Sequence, residues 1–218
     1  MALSKKKVGL DTRVVEIIRV LRKAYPDARL ALTFSNPLEL LIALILAAQC
    51  TDQRVNEVTR SLFKKYRTAR DYAETRQETL EEEIRSTGFY RNKAKAIRGC
   101  CQEILVRFQG KVPDRTEDLV GLPGVGRKTA NIIIGNAFGR PAIGVDTHVM
   151  RLSQRMGLTQ RGDPDHIEVD LCQIIPEKDW VSFCHLIQVH GRRVCTARAP
   201  QCSQCPVEPI CPKVHVQK

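Results

Sequence analysis

Four cysteines near the end of the chain have the spacing of a metal site. They follow the pattern C-x6-C-x2-C-x5-C within a basic, proline-containing segment: Cys195, Cys202, Cys205 and Cys211. Thiolates are soft ligands, and four of them so close in sequence can reach one common centre. The segment lacks the apolar periodicity that would bury cysteines as ordinary core side chains. The pattern therefore predicts that all four bind one metal centre.

Zinc and an iron–sulfur cluster are the two candidates for this centre. A structural zinc site usually shows two short cysteine pairs, whereas this segment has one, Cys202 and Cys205. The uneven spacing favours the four corners of a [4Fe–4S] cluster held by wide loops. We expect the other cysteines to be small buried hydrophobic side chains, namely Cys50, Cys100, Cys101, Cys172 and Cys184.

A glycine-rich segment, GLPGVGRKTA at residues 121–130, has the composition of a phosphate-binding turn. One helix is expected to end near Leu119, and an apolar helix to begin near Arg127. Glycine permits φ > 0 and has no side chain, so a phosphate can approach the backbone. Three backbone amides are predicted to be free at the start of the new helix, those of Gly124, Val125 and Gly126.

Amides of this kind read no base, so they would bind DNA without regard to its sequence. The alternative is a plain glycine-rich turn between two helices. The basic pair Arg127 and Lys128, together with the net charge of +11, favours the phosphate-binding interpretation.

The net charge of the whole chain points to a polyanionic partner, and nucleic acid fits better than a membrane surface. The most apolar run, residues 38–48, is too short to span a bilayer. No apolar stretch follows the basic residues 1–7 as it would in a signal peptide. Nine cysteines without a secretory signal indicate a reducing compartment. We expect a cytoplasmic protein with no membrane partner.

The hydrophobic periodicity predicts an all-α protein of about nine or ten helices joined by short loops. Residues 14–21 place their apolar side chains at helical spacing. Asn36, Pro37 and Glu39 predict a capped helix start, with Glu39 reaching back in a capping box. Residues 40–48 are apolar all round, which predicts a central, buried helix.

Proline and glycine mark two seams, at residues 21–31 and 140–145. If both are seams, the N-terminal helix and the C-terminal third form one lobe, and the middle of the chain forms the other. A cleft is then expected between the two lobes. We expect a monomer, because one cleft suffices and no exposed apolar stripe is evident.

Three motifs in this order resemble the endonuclease III family of DNA glycosylases, within the helix-hairpin-helix superfamily. They are LPGVGRKTAN at residues 122–131, VDTH at residues 145–148, and the four-cysteine segment. The resemblance extends over nearly the whole chain and includes FSNP at residues 34–37, AAQCTD at residues 47–52 and GFY at residues 88–90. It implies a six-helix barrel-like lobe over residues 30–140. It also implies an iron–sulfur lobe formed by residues 1–29 and 141–218.

By this resemblance, Lys128 is the catalytic lysine of a bifunctional glycosylase that removes oxidised pyrimidines of the thymine-glycol type. An amine can displace the base, form a Schiff base with the opened sugar, and promote β-elimination of the 3′ phosphate. Burial in a cleft and the positive end of the helix near Arg127 are expected to favour the neutral amine. Without the motif, a lysine in a first helical turn would be an ordinary solvated side chain.

Asp146 corresponds to the family's catalytic aspartate. It is expected to stabilise the cationic sugar as the base departs, or to help deprotonate the lysine. Its ordinary role would be to cap the helix that starts near His148, with Thr147 as the competing cap. Both roles are compatible, since a capping carboxylate is held ionised by the helix amides.

The target base must leave the stack before a pocket can receive it. The resemblance implies that Gln49 and Phe89 fill the gap, although Phe89 alone would pass for a core aromatic. It also places His148 near the substrate pocket. The loop between the cysteine ligands, residues 196–201, is expected to present Arg198 to phosphate. Further candidate phosphate contacts are the basic residues between 91 and 98, Arg192 and Arg193. The expected partner is double-stranded DNA that contains damaged pyrimidines or abasic sites. The resemblance also implies a nucleoid-associated protein of bacterial or archaeal type.

Three alternatives compete with this interpretation. The adenine glycosylase branch carries a catalytic glutamate on the buried helix and lacks the lysine, but residues 41–48 contain no acid and Lys128 is present. Lys128 also argues against a thymine or uracil mismatch glycosylase. A non-catalytic DNA-binding module with a structural metal is the third, and Lys128 with Asp146 at family spacing argues against it.

Overall fold

The computed structural model describes residues 2–216, with side chains from residue 9 onward. This part of the chain forms α-helices and short 3₁₀ turns, and contains no strand. The helices are α1 (Ala2–Ala24), α2 (Pro37–Leu46), α3 (Asp52–Lys65), α4 (Ala69–Glu74), α5 (Gln77–Ile84), α6 (Tyr90–Phe108), α7 (Thr116–Val120), α8 (Arg127–Ala137), α9 (Thr147–Arg155), α10 (Pro164–Ile174) and α11 (Trp180–Arg193). The predicted all-α class is confirmed.

The chain divides into two compact units. One combines the residues up to Arg29 with those from Pro141 onward, and the other is Leu30–Arg140. Both divisions fall in segments between helices, one between α1 and α2 and the other between α8 and α9.

The Leu30–Arg140 unit is built around α2, whose side chains from Leu40 to Ala43 are fully buried. Helices α3, α6 and α8 pack against α2, and α6 also packs against α4 and α5. Asn36 caps α2 by accepting from the Glu39 amide at 3.0 Å. The predicted capping box is wrong in one detail, because the Glu39 carboxylate accepts from the amide of Ser35 and not from that of Asn36.

The second unit packs α1 against α10 and α11, and α11 against α9. The apolar face predicted for α1 lies in its core, with Val14, Ile17 and Leu21 fully buried. Cys195, Cys205 and Cys211 pack against the same core while remaining partly exposed. The cysteine segment is therefore anchored to this unit by apolar contacts as well as by its own turns.

Two counts differ from the predictions. Residues 2–216 contain eleven α-helices rather than nine or ten, and Leu30–Arg140 contains seven rather than six. The difference arises from one-turn helices such as α7, which are too short to show a hydrophobic period. Within the described range, no helix is long and apolar enough to cross a membrane.

Three of the five remaining cysteines are buried as predicted: Cys100, Cys101 and Cys184. Burial raises the pKa of the Cys100 and Cys184 thiols to about 12, so they stay protonated at neutral pH. Cys50 and Cys172 are only half-buried, so the prediction of full burial is wrong for these two.

Candidate active site and DNA-binding surfaces

The glycine-rich turn connects α7 to α8 as the sequence predicts. Gly124 has φ +79°, and a Cβ at this position would lie 3.0 Å from the Ala96 Cβ. Both its backbone conformation and the close approach of α6 therefore require glycine. Gly126 is the N-cap of α8 and supplies no side-chain hydrogen bond. No side chain of Gly126 therefore covers the N-terminus of α8. This end of the helix is open to an anion.

One of the three amides predicted to be free is not. The Val125 amide donates to the Leu122 carbonyl at 3.1 Å, and the Val125 side chain is buried. The prediction that Val125 contacts phosphate is therefore wrong, because this amide closes the turn. The amides of Gly124 and Gly126 find no acceptor within residues 2–216, so both remain available.

Lys128 is the second residue of α8, and its side chain is exposed. Its ammonium makes no hydrogen bond or ion pair to another residue between 9 and 216. The burial expected for this amine is not found. Arg127 beside it is exposed too, so the turn presents two basic side chains next to the open end of α8.

Asp146 is the N-cap of α9, which begins at Thr147 rather than at His148. Its Oδ1 accepts from the amides of His148 at 2.9 Å and Val149 at 2.8 Å. Burial raises the pKa of Asp146, but the His148 ring and these two amides outweigh burial. The pKa therefore lies below its ordinary value and the carboxylate is ionised at neutral pH.

His148 is half-buried, and its Nδ1 lies 3.5 Å from Asp146 Oδ2, a contact too long for a strong hydrogen bond. Its ring packs on Gly191 of α11, where an added Cβ would lie 2.8 Å from His148 Cδ2. Gly191 therefore makes room for this ring beside the carboxylate.

The two residues predicted to enter the duplex share an unusual backbone. Gln49 has φ +52° and Phe89 has φ +48°, and both side chains are exposed. A bulky residue in this left-handed region is strained by about 1 kcal/mol or more. Phe89 exposes 61% of its surface, so it is not a core aromatic.

The basic residues near the start of α6 are less uniform than the sequence suggests. Arg91 and Lys95 are exposed, as phosphate contacts must be. Arg98 instead donates to Gln77 at 3.3 Å. Lys93 is buried, with 4% of its surface exposed, and its Nζ donates to two backbone carbonyls. Lys93 therefore cannot contact phosphate, and the prediction is wrong at this residue.

The four cysteines of the metal-site motif line one pocket, together with His190 and Arg155. The Arg155 guanidinium donates to Cys195 Sγ at 3.4 Å, and His190 Nε2 lies 3.4 Å from Cys205 Sγ. Burial, together with the neighbouring cysteines, raises the pKa of the Cys205 thiol to about 11. Four thiolates here therefore need a positive centre if they are to be ionised together.

The four thiols suit a soft, multi-thiolate centre. Glu208 lines the same pocket, but its carboxylate is paired with the Lys213 ammonium. Among residues 2–216, no three His, Cys, Asp or Glu side chains are arranged to hold a single metal ion. The four cysteines therefore suit a multi-thiolate centre by their chemistry and by the pocket that they share.

The loop between Cys195 and Cys202 is held by α9. Arg155 donates to the carbonyls of Thr196 and Ala197, each at 2.7 Å. Arg198 follows directly and is exposed, so the loop presents this guanidinium to solvent. Of the other tail arginines, Arg193 lies over the Tyr25 ring, 5.6 Å from its centroid.

Comparison with known proteins decides the family. Residues 42–177 match the HhH-GPD superfamily of base excision DNA repair proteins. The chain is 50% identical over 215 residues to endonuclease III of Synechocystis, covering 98% of each protein. It is 45% identical to endonuclease III of Bacillus subtilis, covering 86% of each. The chain belongs to the endonuclease III family. It is thus a DNA glycosylase/AP lyase of base excision repair.

A solved structure gives the same result. A trapped endonuclease III–DNA covalent intermediate superposes with a TM-score of 0.89 at 44% identity, covering 93% of this chain and 96% of that one. A non-covalent endonuclease III–DNA complex also matches with a TM-score of 0.89. The helical fold of this family therefore extends over nearly the whole chain.

Proposed function

We propose that this chain excises oxidised pyrimidines of the thymine-glycol type from double-stranded DNA and then cleaves the abasic strand through a Schiff base on Lys128. The observation that carries the proposal is the free, exposed amine of Lys128 at the open start of α8. A relative at 44% identity has been trapped as a covalent intermediate with DNA, which supports a covalent reaction route here.

The proposed reaction follows from the chemistry of a primary amine. The neutral Nζ attacks C1′, and the base leaves with the electron pair of the glycosidic bond and takes up a proton. The C1′–O4′ bond then breaks, O4′ takes up the proton that the adduct nitrogen gives up, and an imine forms between Nζ and C1′. Loss of a 2′ proton then breaks the C3′–O bond and releases the 3′ phosphate. Water then hydrolyses the imine and regenerates Lys128.

Asp146 fits the role of an electrostatic stabiliser better than that of a base. A carboxylate whose pKa is lowered binds a proton weakly, so it is poorly suited to accept one from Lys128. A fixed negative charge is well suited to stabilise the positive sugar that develops as the base leaves. His148, which packs beside this carboxylate, is proposed to line the substrate pocket.

The remaining predicted DNA contacts have two proposed roles, which are phosphate binding and insertion into the duplex. The amides of Gly124 and Gly126, with Arg127 and Arg198, are proposed to bind phosphates regardless of sequence. Gln49 and Phe89 are proposed to fill the space left by the extruded nucleotide.

We further propose that Cys195, Cys202, Cys205 and Cys211 hold a [4Fe–4S] cluster. When bound, the cluster would order the loop that presents Arg198, with no part in base excision. Protein purified anaerobically is expected to contain about four iron atoms per chain and to show broad visible absorbance. Cys205→Ser is expected to lose both signals, and Cys50→Ser, outside the motif, is expected to keep them. Bound zinc in place of iron would contradict the assignment.

The substrate class is tested by covalent trapping. Wild-type protein is incubated with borohydride and duplexes containing thymine glycol, a preformed abasic site, an adenine mispaired with guanine, or no lesion. We expect a protein–DNA adduct with the first two duplexes only. Adducts with the adenine mispair and the preformed abasic site, but none with thymine glycol, would instead support the adenine glycosylase activity.

A further inference from the structure

Lys93 is a buried cation that the proposed chemistry does not use. Its Nζ donates to the Leu46 carbonyl at 2.7 Å and to the Thr87 carbonyl at 2.8 Å. Within the described side chains it has no carboxylate partner. Burial lowers the pKa of Lys93, while nearby Cys50 opposes this effect. Burying an ammonium without a counter-ion is costly, so the two carbonyl bonds must stabilise this arrangement.

The two carbonyls end two helical segments. Leu46 is the last residue of α2, and Thr87 is the last residue of the 3₁₀ turn Arg85–Thr87. Carbonyls at helix C-termini lack intrahelical partners, and a cation is favoured there. One side chain therefore caps both segments at once.

Each capped segment leads directly into a proposed insertion residue. Gln49 follows Leu46 by three residues, and Phe89 follows Thr87 by two. The Lys93 amide also donates to the Phe89 carbonyl at 3.1 Å. Lys93 thus holds the Phe89 turn with its backbone, and ties that turn to the Gln49 turn with its side chain.

We propose that Lys93 is a positioning residue that fixes the Gln49 and Phe89 turns relative to each other, so that both side chains enter the duplex together. The inference rests on the proposed insertion roles of these two residues. If the two turns are already fixed, Gln49 and Phe89 can insert into the duplex without each turn having to be ordered separately. This lowers the conformational cost of base extrusion.

The test compares a reaction that needs extrusion with one that does not. Lys93→Met keeps most of the apolar stem of the side chain, ends one bond earlier, and removes its donors. We expect it to slow single-turnover excision of thymine glycol from duplex DNA by about 10-fold or more, since misplacement by about 1 Å can cost roughly 10²-fold. Incision of an abasic site in single-stranded DNA is expected to change by less than about twofold. The proposal would be overturned if Lys93→Met slowed both reactions equally, or if it slowed neither of them.

Two further variants make the result specific. Lys111→Met removes an exposed lysine by the same chemical change and is expected to leave both rates near the wild-type values. The Lys93→Gln side chain donates through its amide but is one bond shorter, so it can reach only one carbonyl. Its duplex rate should fall between those of wild type and Lys93→Met. Should Lys93→Met fail to fold, a wild-type duplex rate in Lys93→Gln would refute the double-tether role.

A double-mutant cycle separates this inference from the proposed function. A 2-aminopurine beside the lesion reports unstacking through its fluorescence. If Gln49→Ala and Phe89→Ala leave that signal unchanged, the insertion roles themselves are wrong. If they reduce it and Lys93→Met does not, only the positioning role is wrong. In a Phe89→Ala background, Lys93→Met should add less than about a twofold effect on duplex excision; a full additive effect would show that Lys93 acts by another route.

Discussion

Lys128→Ala is expected to abolish borohydride trapping on thymine-glycol and abasic duplexes, and to slow strand cleavage by roughly 10⁴-fold or more. Alanine cannot form an imine, so no covalent adduct can be reduced. The measurement is denaturing gel electrophoresis of the protein–DNA adduct, together with single-turnover cleavage rates. Trapping of Lys128→Ala at the wild-type level would refute the proposed nucleophile.

The fold of this variant is expected to survive. The Lys128 side chain is exposed and has no partner between residues 9 and 216, so unfolding free energy should change by less than about 0.5 kcal/mol. Arg127→Ala is the matched control, because it removes the neighbouring cation from the same exposed turn. This variant should still be trapped by borohydride. Its DNA affinity should fall, and the salt dependence of that affinity should decrease by the equivalent of about one phosphate contact.

The position of Lys128 is predictable from sequence because a glycine-rich turn and a helix start are local features. The hydrogen bonds inside that turn cannot be predicted from sequence. The i+3 residue of the turn, Val125, uses its amide to close the turn onto Leu122, and sequence alone does not distinguish a closing amide from a free one. Two of the three predicted amides thus stay available.

Lys93 illustrates a different limit. Composition places it among exposed basic residues, since lysine is rarely buried without a partner. Its partners are the carbonyls of Leu46 and Thr87, and no sequence pattern marks a carbonyl as unpaired. Only tertiary packing of α6 against α2 and the Arg85–Thr87 turn brings the three together. The apolar periods of α1 and α2, by contrast, are enough to predict their burial.

Asp146→Asn is expected to reduce the rate of base excision by about 10²- to 10³-fold, the scale of losing one preorganised electrostatic stabiliser. Asparagine caps a helix about as well as aspartate, so α9 should keep its start. The substitution removes charge while the amides of His148 and Val149 keep an acceptor. Loss of activity without loss of the cap would separate the two roles of this residue.

The pH dependence of stability checks the capping role independently. Because the pKa of Asp146 is lowered in the folded protein, the stability it contributes is fully present above the ordinary pKa of aspartate. That contribution is lost as the pH falls through the lowered value. Wild type and Asp146→Asn should therefore differ most near neutral pH and converge in acid, as measured by chemical denaturation.

Asp163→Asn supplies a control of the same geometry. Asp163 caps α10 by accepting from the amides of Asp165 and His166, each at 3.1 Å, and a histidine ring lies beside it, as at Asp146. This variant makes the same chemical change at the same kind of cap, and excision should proceed at the wild-type rate. Equal loss in both variants would trace the defect to helix capping.

The pH profile of Asp146→Asn then decides between its two chemical roles. If Asp146 accepted the proton of Lys128, raising the pH would supply the neutral amine from solution and restore much of the lost rate. A fixed charge opposite a cationic sugar has no substitute in solvent, so the deficit should persist at every pH. The lowered pKa of this carboxylate favours the second outcome, because a group that binds its proton weakly stabilises positive charge better than it removes protons.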